Sequence, residues 1–333
     1  MALIEVDKVS KSFKTYDRKE GVWGGIQNLF VRSSRYVQAV DEVSFSIDTG
    51  EMVGYIGANG AGKSTTIKML TGILVPSAGT IRANGCVPYR DRNEYTRGIG
   101  VVFGQRTQLW WDIAVVESFR LLKRIYAVSD RVFDEQLEIF NAILNLKPLL
   151  HTPVRKLSLG ERMRCDLAAA FLHRPKIVFL DEPTIGLDVV AKENIRQFLR
   201  RINLELKVTV LLTTHDLSDI EELCQRVLII DRGRLLFDGP LQALRERFEC
   251  KSQIIFDLRE PEIIDFKRLG FNSVVEFQQA DPIRCKAIFD KKRLPSAELI
   301  KEIVNTLSVR DITLEDTSIE EIVREIYSRG EVI

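Results

Sequence analysis

One short stretch of the chain has the residue types and spacing needed to bind phosphate. Residues 57–65 read Gly57-Ala58-Asn59-Gly60-Ala61-Gly62-Lys63-Ser64-Thr65. This stretch fits the pattern G-x-x-x-x-G-K-[ST] of phosphate-binding loops. Glycines let the backbone wrap closely around a phosphate and direct successive N–H groups at it. In such a loop Lys63 reaches the β- and γ-phosphates and the Ser64 hydroxyl binds Mg²⁺, so we predict an ATP site with Mg²⁺ as cofactor.

The residues on both sides of this stretch predict the strand and the helix that such a loop requires. Residues 52–56 are mostly apolar and read as a short buried strand. Residues 64–74 read as a helix whose apolar side is formed by Ile67, Leu70, Ile73 and Leu74. The N-terminus of that helix directs its dipole at the phosphate. An ordinary glycine-rich turn is the alternative, and the order strand, loop, helix disfavours it.

Two adjacent carboxylates later in the chain supply what a phosphate loop still needs for hydrolysis. Asp181 and Glu182 follow the apolar run Ile177–Leu180, so they emerge at the carboxyl end of a buried strand, where such sheets bind ligands. We expect Asp181 to hold Mg²⁺ through a water molecule and Glu182 to be the general base for the attacking water. A solvated acid pair is the alternative, and the upstream phosphate loop disfavours it.

A second helix start also has phosphate-binding character. The stretch Leu157-Ser158-Leu159-Gly160-Glu161 precedes a predicted helix. Ser158 can cap that helix, and the exposed N–H groups at its start suit a phosphate. Because one ATP already has its own loop at residues 57–65, this second helix start suggests that the ATP of another chain is its target.

Together these motifs resemble the ATP-binding cassette (ABC) ATPases, the motor subunits of ABC transporters. Residues 157–161 are similar to that family's LSGGQ signature, with Leu159 in place of the first glycine and Glu161 in place of the glutamine. The resemblance implies that Ser158, Gly160 and Glu161 form the site for the γ-phosphate of ATP held by the partner chain. It covers roughly residues 3–248.

Three further residues fall in the order expected for that family. Gln105 resembles the Q-loop glutamine, which contacts Mg²⁺ and water and senses the membrane subunit, and Asp188 resembles the D-loop aspartate. His215 resembles the switch histidine at the γ-phosphate. A lone histidine after a strand is often structural, but His215 is expected at the same sheet edge as Glu182. The resemblance therefore implies that Gln105 and His215 assist Glu182 in catalysis.

The adenine of ATP should stack on an aromatic residue upstream of the phosphate loop. Phe13 fits the family position best. Tyr16 and Tyr36 are the alternatives, because a long insert lies in this part of the chain.

That insert, Lys14–Gln38, connects the predicted strands Leu3–Val9 and Val43–Ile47. Spacings of three and four put Trp23, Ile26 and Phe30 on one helical side. The insert is either a surface segment that packs on its own domain or a basic amphipathic helix that touches a membrane surface or a membrane subunit.

Trp110 and Trp111 follow Gln105 by a few residues. Core packing is one interpretation of this pair. The family resemblance supports another, because it places this surface under the coupling helix of the membrane subunit, where exposed tryptophans would form a hot spot.

The predicted elements indicate an α/β protein with a P-loop NTPase fold of the ATP-binding-cassette type. Strands are predicted at 80–83, 99–103, 177–180, 208–213, 227–230 and 233–237, and helices at 115–126, 132–146, 161–173, 190–205 and 241–248. Apolar runs alternating with helices are typical of a mostly parallel sheet covered on both faces. The helices between about residues 106 and 173 predict a helical subdomain.

The chain after residue 248 reads as a different unit, so we predict an ATPase domain at 1–248 and an accessory domain at 249–333. The predicted order in the second domain is strand 253–258, helix 261–269, strands 273–277 and 284–289, helix 297–307, strand 310–314 and helix 319–328. The first six elements have the order βαββαβ, which is typical of a small α+β, ferredoxin-like unit.

Composition excludes several other classes of protein. The net charge of +1 and the absence of a basic stripe argue against a nucleic-acid partner. No apolar run approaches the roughly 20 residues of a spanning helix, and the first residues do not resemble a signal peptide. The five cysteines are widely spaced and predict reduced thiols. We therefore expect a protein made and kept in the cytoplasm, and the family resemblance implies that it is peripheral on the cytoplasmic face of the inner membrane.

Within the family, the chain resembles the ATPases of ABC-2 type exporters, and Lys14–Gln38 and residues 102–111 are closest to the viologen-exporter group. The resemblance implies a homodimer around two ATP molecules that hydrolyses ATP and drives ABC-2 type permease subunits. A non-transport ABC ATPase that acts as a soluble regulatory or assembly factor is the alternative. Co-purification from membranes separates the two.

Overall fold

A computed structural model of the chain describes residues 2–16, 34–104, 106–247, 251–271, 274–315 and 318–329. The described residues form two compact units, one within residues 1–239 and one within residues 240–329. This division precedes the predicted boundary at residue 248, because the helix Leu241–Arg247 lies against Ile319–Arg329, the last described helix, and belongs to the second unit.

The first unit begins with a long antiparallel pair of strands. Strand β1 (Ala2–Tyr16) pairs with β2 (Ser34–Asp48). After β3 (Met52–Gly57), strand β4 (Ala78–Ala83) pairs with the other edge of β1 and completes a three-stranded sheet. The pairing continues to Tyr16 and Ser34, so the ends of the predicted connection Lys14–Gln38 are strand. Its residues 17–33, with Trp23, Ile26 and Phe30, lie outside the described residues.

A second sheet forms the centre of this unit. It contains β3 together with β5 (Ile99–Phe103), β6 (Ile177–Asp181), β7 (Thr209–Thr213), β8 (Arg226–Asp231) and β9 (Arg234–Pro240). The spatial order is β5-β6-β7-β3-β8-β9, and the pairs among the first five strands of this order are parallel. This confirms the predicted parallel sheet, whose inner strands are buried on both faces.

Seven α-helices are described in this unit. They are α1 (Lys63–Leu70), α2 (Arg92–Tyr95), α3 (Val115–Ile125), α4 (Asp130–Leu144), α5 (Leu159–Phe171), α6 (Val189–Leu206) and α7 (Leu217–Leu223). Helix α1 ends before the predicted Leu74. The reason is Gly72, which has φ +73° and lies so close to Pro88 that a Cβ would be 2.4 Å from the Pro88 carbonyl oxygen. Helices α3, α4 and α5 form the helical part predicted at about 106–173.

The second unit contains a four-stranded antiparallel sheet. Its elements are α8 (Leu241–Arg247), β10 (Lys251–Leu258), β11 (Val275–Gln279), β12 (Arg284–Asp290), α9 (Ser296–Thr306), β13 (Val309–Glu315) and α10 (Ile319–Arg329). The strand order is β11-β12-β10-β13. Strands β10 and β11 are therefore parallel with β12 between them, which is the split arrangement of a ferredoxin-like unit.

The predicted helix Pro261–Leu269 is wrong for most of its length. Only Phe266–Leu269 is helical, as a single 3₁₀ turn. The Gln279 side chain binds two backbone groups of the segment before this turn. Its amide nitrogen donates to the Glu262 carbonyl oxygen at 2.6 Å, and its oxygen accepts from the Ile264 N–H at 3.2 Å. These bonds replace the bonds of a helix.

Among the described helices, none is long and apolar enough to span a membrane. Four of the five cysteines, Cys86, Cys165, Cys224 and Cys285, are free thiols. The fifth, Cys250, lies outside the described residues.

Candidate nucleotide site

The phosphate loop follows β3, and Lys63 begins α1 directly after it. Gly62 has φ +111°, and a Cβ there would lie 2.6 Å from the Ala39 carbonyl oxygen. A Cβ at Gly57 would lie 2.6 Å from the Ile230 carbonyl oxygen. Glycine is therefore required at both positions by the neighbouring backbone. The N–H groups in the first turn of α1 have no acceptor within the helix, so they are able to bind a phosphate.

Lys63 is buried inside this loop. Its ammonium group donates to the carbonyl oxygens of Gly57 at 2.6 Å and Ala58 at 3.1 Å. Burial lowers the pKa of Lys63, and the charges of Glu182 and Asp181 act in the opposite direction. A cation held in a loop of backbone N–H groups, opposite two carboxylates, fits a Mg²⁺-bound triphosphate.

Asp181 and Glu182 leave the end of β6 at a cleft. Thr213 at the end of the neighbouring strand donates through its hydroxyl to Asp181 Oδ1 at 2.6 Å. Ser64, Asp181 and Glu182 line one cleft with Phe103, Gly104, Arg106, Lys68 and Ile73. The structure thus brings Ser64 and Asp181 together, and their hydroxyl and carboxylate oxygens are the ligand types that Mg²⁺ takes. Gln105 lies outside the described residues, although its neighbours Gly104 and Arg106 line the cleft.

Glu182 is held beside His215. The Nδ1 atom of His215 lies 3.6 Å from Glu182 Oε2. Glu182 has φ +56°, which is uncommon for a residue other than glycine, and its N–H donates to the Thr213 carbonyl oxygen at 2.9 Å. The end of β7 therefore fixes both the backbone of Glu182 and the side chain of Asp181.

Thr213 was not a predicted site residue. Its role depends on the register of β6 and β7, which pair Asp181 with Thr213. The sequence carries only a weak signal for it, namely its position two residues before His215.

A buried ion pair between α6 and α7 was also not predicted. The Arg196 Nε donates to Asp219 Oδ1 at 2.7 Å, and the hydroxyls of Thr184 and Thr214 donate to Asp219 Oδ2 at 2.5 and 3.3 Å. Asp219 is fully buried. Through Thr184 and Thr214, Asp219 connects the loop after Glu182 to the loop that carries His215. In sequence these residues read as ordinary polar positions of helices and loops.

The predicted signature residues line a second cleft. Ser158 caps α5, since its hydroxyl accepts from the Glu161 N–H at 3.3 Å while Glu161 Oε2 accepts from the Ser158 N–H at 2.8 Å. These bonds from Ser158 lower the pKa of Glu161. Glu161 therefore completes a capping box, as the family's glutamine would at the same position.

Asp188 lies in the same second cleft. Its side chain caps α6 by accepting from the Ala191 N–H at 2.9 Å. Ser158, Gly160, Glu161, Gly186 and Asp188 are among the lining residues. Of the described residues, none lines both this cleft and the phosphate-loop cleft. The chain therefore separates the two sets of predicted phosphate ligands.

Phe13, the residue expected to stack on adenine, lies on β1 opposite Val37 of β2. Its ring is partly exposed, with the Lys11 ammonium 5.4 Å from the ring centroid. Val37 lies two positions before Ala39, whose carbonyl oxygen lies close to Gly62 of the phosphate loop. Tyr36 is exposed. Which aromatic residue contacts adenine stays a prediction.

Trp110 and Trp111 are not core residues, since their exposed fractions are 41% and 49%. The Arg162 guanidinium lies 5.6 Å from the centroid of a Trp111 ring. The interpretation as core packing is therefore wrong, and the pair is available at the surface.

Comparisons with known proteins point to one family. A sequence profile of the family described as ABC transporter matches residues 40–185. The chain is 32% identical over 217 residues to the ABC transporter ATP-binding protein NatA of Bacillus subtilis, across 65% of this chain and 88% of that protein. It is 37% identical over 219 residues to the Nod factor export ATP-binding protein I of Mesorhizobium japonicum, across 65% of this chain and 64% of that protein.

A solved structure is also similar. It is the dimeric structure of MJ0796, a bacterial ABC transporter cassette, with a TM-score of 0.60 and 25% sequence identity. The match covers 72% of this chain and 98% of that chain.

Proposed function

Because this chain belongs to the family of ABC transporter ATP-binding subunits and is an ATPase, we propose that two copies hydrolyse ATP at shared sites and drive membrane permeases. The observation that carries the proposal is the pair of separate clefts, one with Ser64, Asp181 and Glu182 and the other with Ser158 and Asp188. Two copies placed head to tail bring each phosphate loop to the other copy's Ser158. The dimeric cassette of MJ0796 supports such an assembly.

Within each shared site, the residues have different roles. Lys63 and the first N–H groups of α1 bind the β- and γ-phosphates. Ser64 and Gln105 would hold Mg²⁺, with Asp181 acting through water, and the ion would supply charge stabilisation at the phosphates. Glu182 accepts the proton of the attacking water, and His215, 3.6 Å from Glu182, contacts the γ-phosphate. Phe13 stacks on the adenine.

We also propose that the chain serves an ABC-2 type exporter from the cytoplasmic face of the inner membrane. Support comes from the relative named for Nod factor export and from the exposed Trp110 and Trp111. In this proposal the tryptophans contact the permease and the second unit has an accessory role.

The test replaces Glu182 with Gln, which keeps the shape of the side chain and removes its basicity. We expect the Glu182→Gln variant to bind ATP and to form a stable ATP-dependent dimer. Its ATP hydrolysis should fall by about 10²–10⁴-fold, the usual contribution of a general base. Size-exclusion chromatography with light scattering and a phosphate-release assay measure the two properties.

Glu138→Gln, an identical change on the exposed surface of α4, is the matched control and should behave as the wild type. A Glu182→Gln protein that stays monomeric with ATP and hydrolyses it at the wild-type rate would contradict the proposal.

A further inference from the structure

Helix α5 connects the second cleft to the exposed tryptophans through one of its sides. Ser158 caps the helix, and Arg162 and Asp166 follow four and eight residues later. Residues at this spacing lie on the same side of an α-helix, one turn above another. We call these three residues the relay face of α5. Its first member lines the second cleft.

Asp166, the last member, binds the segment that precedes the tryptophans. Its Oδ1 accepts from the Thr107 hydroxyl at 2.8 Å and from the Gln108 N–H at 3.0 Å. The Gln108 side-chain amide donates to the Asp166 carbonyl oxygen at 2.8 Å. Asp166 is buried, with 4% of its surface exposed. Three hydrogen bonds thus hold residues 107 and 108 on α5, and the side chain that accepts two of them is buried.

Arg162, the middle member, reaches the other end of the same segment. Its guanidinium lies 5.6 Å from the centroid of a Trp111 ring, and the backbone N–H of Arg162 donates to the Ser158 carbonyl oxygen at 2.9 Å. The segment Thr107–Trp111 is therefore attached to α5 at both ends.

The chemistry of Asp166 favours more than simple packing. Burial raises the pKa of this carboxyl to about 6, although the bonds from Thr107 and Gln108 lower it. An apolar side chain would fill the same space without this desolvation cost. A buried carboxylate with two donors on one oxygen instead specifies a single position for the segment relative to the helix.

We propose that Asp166 is a positioning residue that makes α5 and the segment Thr107–Trp111 move as one body. Contact of Ser158 with the partner's ATP is then transmitted along the relay face to Trp110 and Trp111. This inference rests on the proposed function, since it requires the ATP-dependent dimer. It assigns to Asp166 the link between the shared nucleotide site and the surface proposed for the permease.

The experiment measures amide hydrogen exchange of residues 107–111 in the full-length Glu182→Gln protein, with and without Mg²⁺ and ATP. ATP should slow exchange in this segment as the dimer closes. In Glu182→Gln/Asp166→Ala the dimer should still form, but the ATP-dependent slowing in the segment should be lost. Asp166→Asn keeps an oxygen acceptor for Thr107 and Gln108, so it should restore the slowing.

Gln136 is another buried polar residue of the helical part, and its side chain lies beside Arg174. Gln136→Ala is therefore the matched control and should keep the ATP-dependent slowing. If Asp166→Ala fails to fold, Thr107→Val removes one bond to the same carboxylate at nearly constant volume, and it should weaken the slowing.

The outcomes separate the two levels of the proposal. If the Glu182→Gln protein shows no ATP-dependent dimer, the proposed function fails. If the dimer forms but the slowing is absent, or persists in Asp166→Ala or at full size in Thr107→Val, the relay is wrong and the proposed function stands.

Discussion

At the level of single residues, the shape of the phosphate loop depends on what its backbone touches. Gly60 and Gly62 both have positive φ angles, +82° and +111°. A Cβ at Gly60 meets no atom within 4 Å, whereas a Cβ at Gly62 would lie 2.6 Å from the Ala39 carbonyl oxygen. Alanine at position 60 would therefore meet only backbone strain, whereas alanine at position 62 would meet both backbone strain and a steric conflict.

We expect Gly60→Ala to destabilise the nucleotide-free protein by about 1–2 kcal/mol, the cost of a left-handed backbone for alanine. Gly62→Ala should cost about 1–3 kcal/mol more, because the loop must also move away from β2. Thermal unfolding of the two variants without nucleotide measures the difference. Equal melting temperatures would mean that the contact with Ala39 does not constrain the loop.

Single-residue roles divide sharply into those that sequence can predict and those that it cannot. The phosphate loop, Asp181 and Glu182 stand next to apolar strands, so their spacing alone places them at one edge of the sheet. Thr213 and Asp219 act through contacts between separate elements, and those contacts depend on strand register and helix packing. Glu161 departs from the family pattern but forms the capping box with Ser158 that a glutamine would also form.

At the level of elements, α6 and α7 are joined by a buried ion pair. Replacing Asp219 with Ala leaves the Arg196 guanidinium buried without its main partner, which should destabilise the protein by about 3–5 kcal/mol. Glu222 binds the same guanidinium at 2.9 Å but is partly exposed, so Glu222→Ala should cost less than about 1 kcal/mol. Urea unfolding of the Asp219→Ala and Glu222→Ala variants measures the two losses of stability. Similar losses for both variants would show that burial does not set the value of this pair.

Helix α5 should give the protein a specific pH dependence. Burial raises the pKa of Asp166 to about 6 from its ordinary value of 3.8, so the folded protein binds more protons than the unfolded chain between these values. The free energy of unfolding should therefore fall as pH rises from 4 to 6, by about 2–3 kcal/mol from this group. Asp166→Asn should lack this component. Parallel urea titrations at several pH values measure it, and identical pH profiles would contradict it.

Element prediction succeeded where a segment's own residues decide its structure. Strand β5 was predicted with its observed bounds, because its apolar run lies between Gly98 and Gly104. Helix α7 was missed because seven residues are too few for a clear period. The predicted helix Pro261–Leu269 failed because a distant side chain, Gln279, binds its backbone. No local pattern carries that information.

At the level of the whole molecule, the proposed function depends on surfaces that a single chain leaves open. The exposed Trp110 and Trp111 are the proposed contact with the permease. Trp110→Glu/Trp111→Glu should abolish co-purification with membranes and leave basal ATP hydrolysis close to the wild-type rate. Leu204→Glu, a change at an exposed apolar residue of α6, is the control and should retain co-purification. Membrane association that survives the double change would place the permease contact elsewhere.

The second open surface is the cleft that carries Ser158. Its separation from the phosphate loop within one chain is the central feature of the account, and a structure of the Glu182→Gln variant with ATP and Mg²⁺ tests it most directly. We predict two copies around two nucleotides, with each γ-phosphate contacted by Lys63 of one copy and the Ser158 hydroxyl of the other. A triphosphate bound by one chain alone, with Ser158 of both copies away from any phosphate, would contradict it.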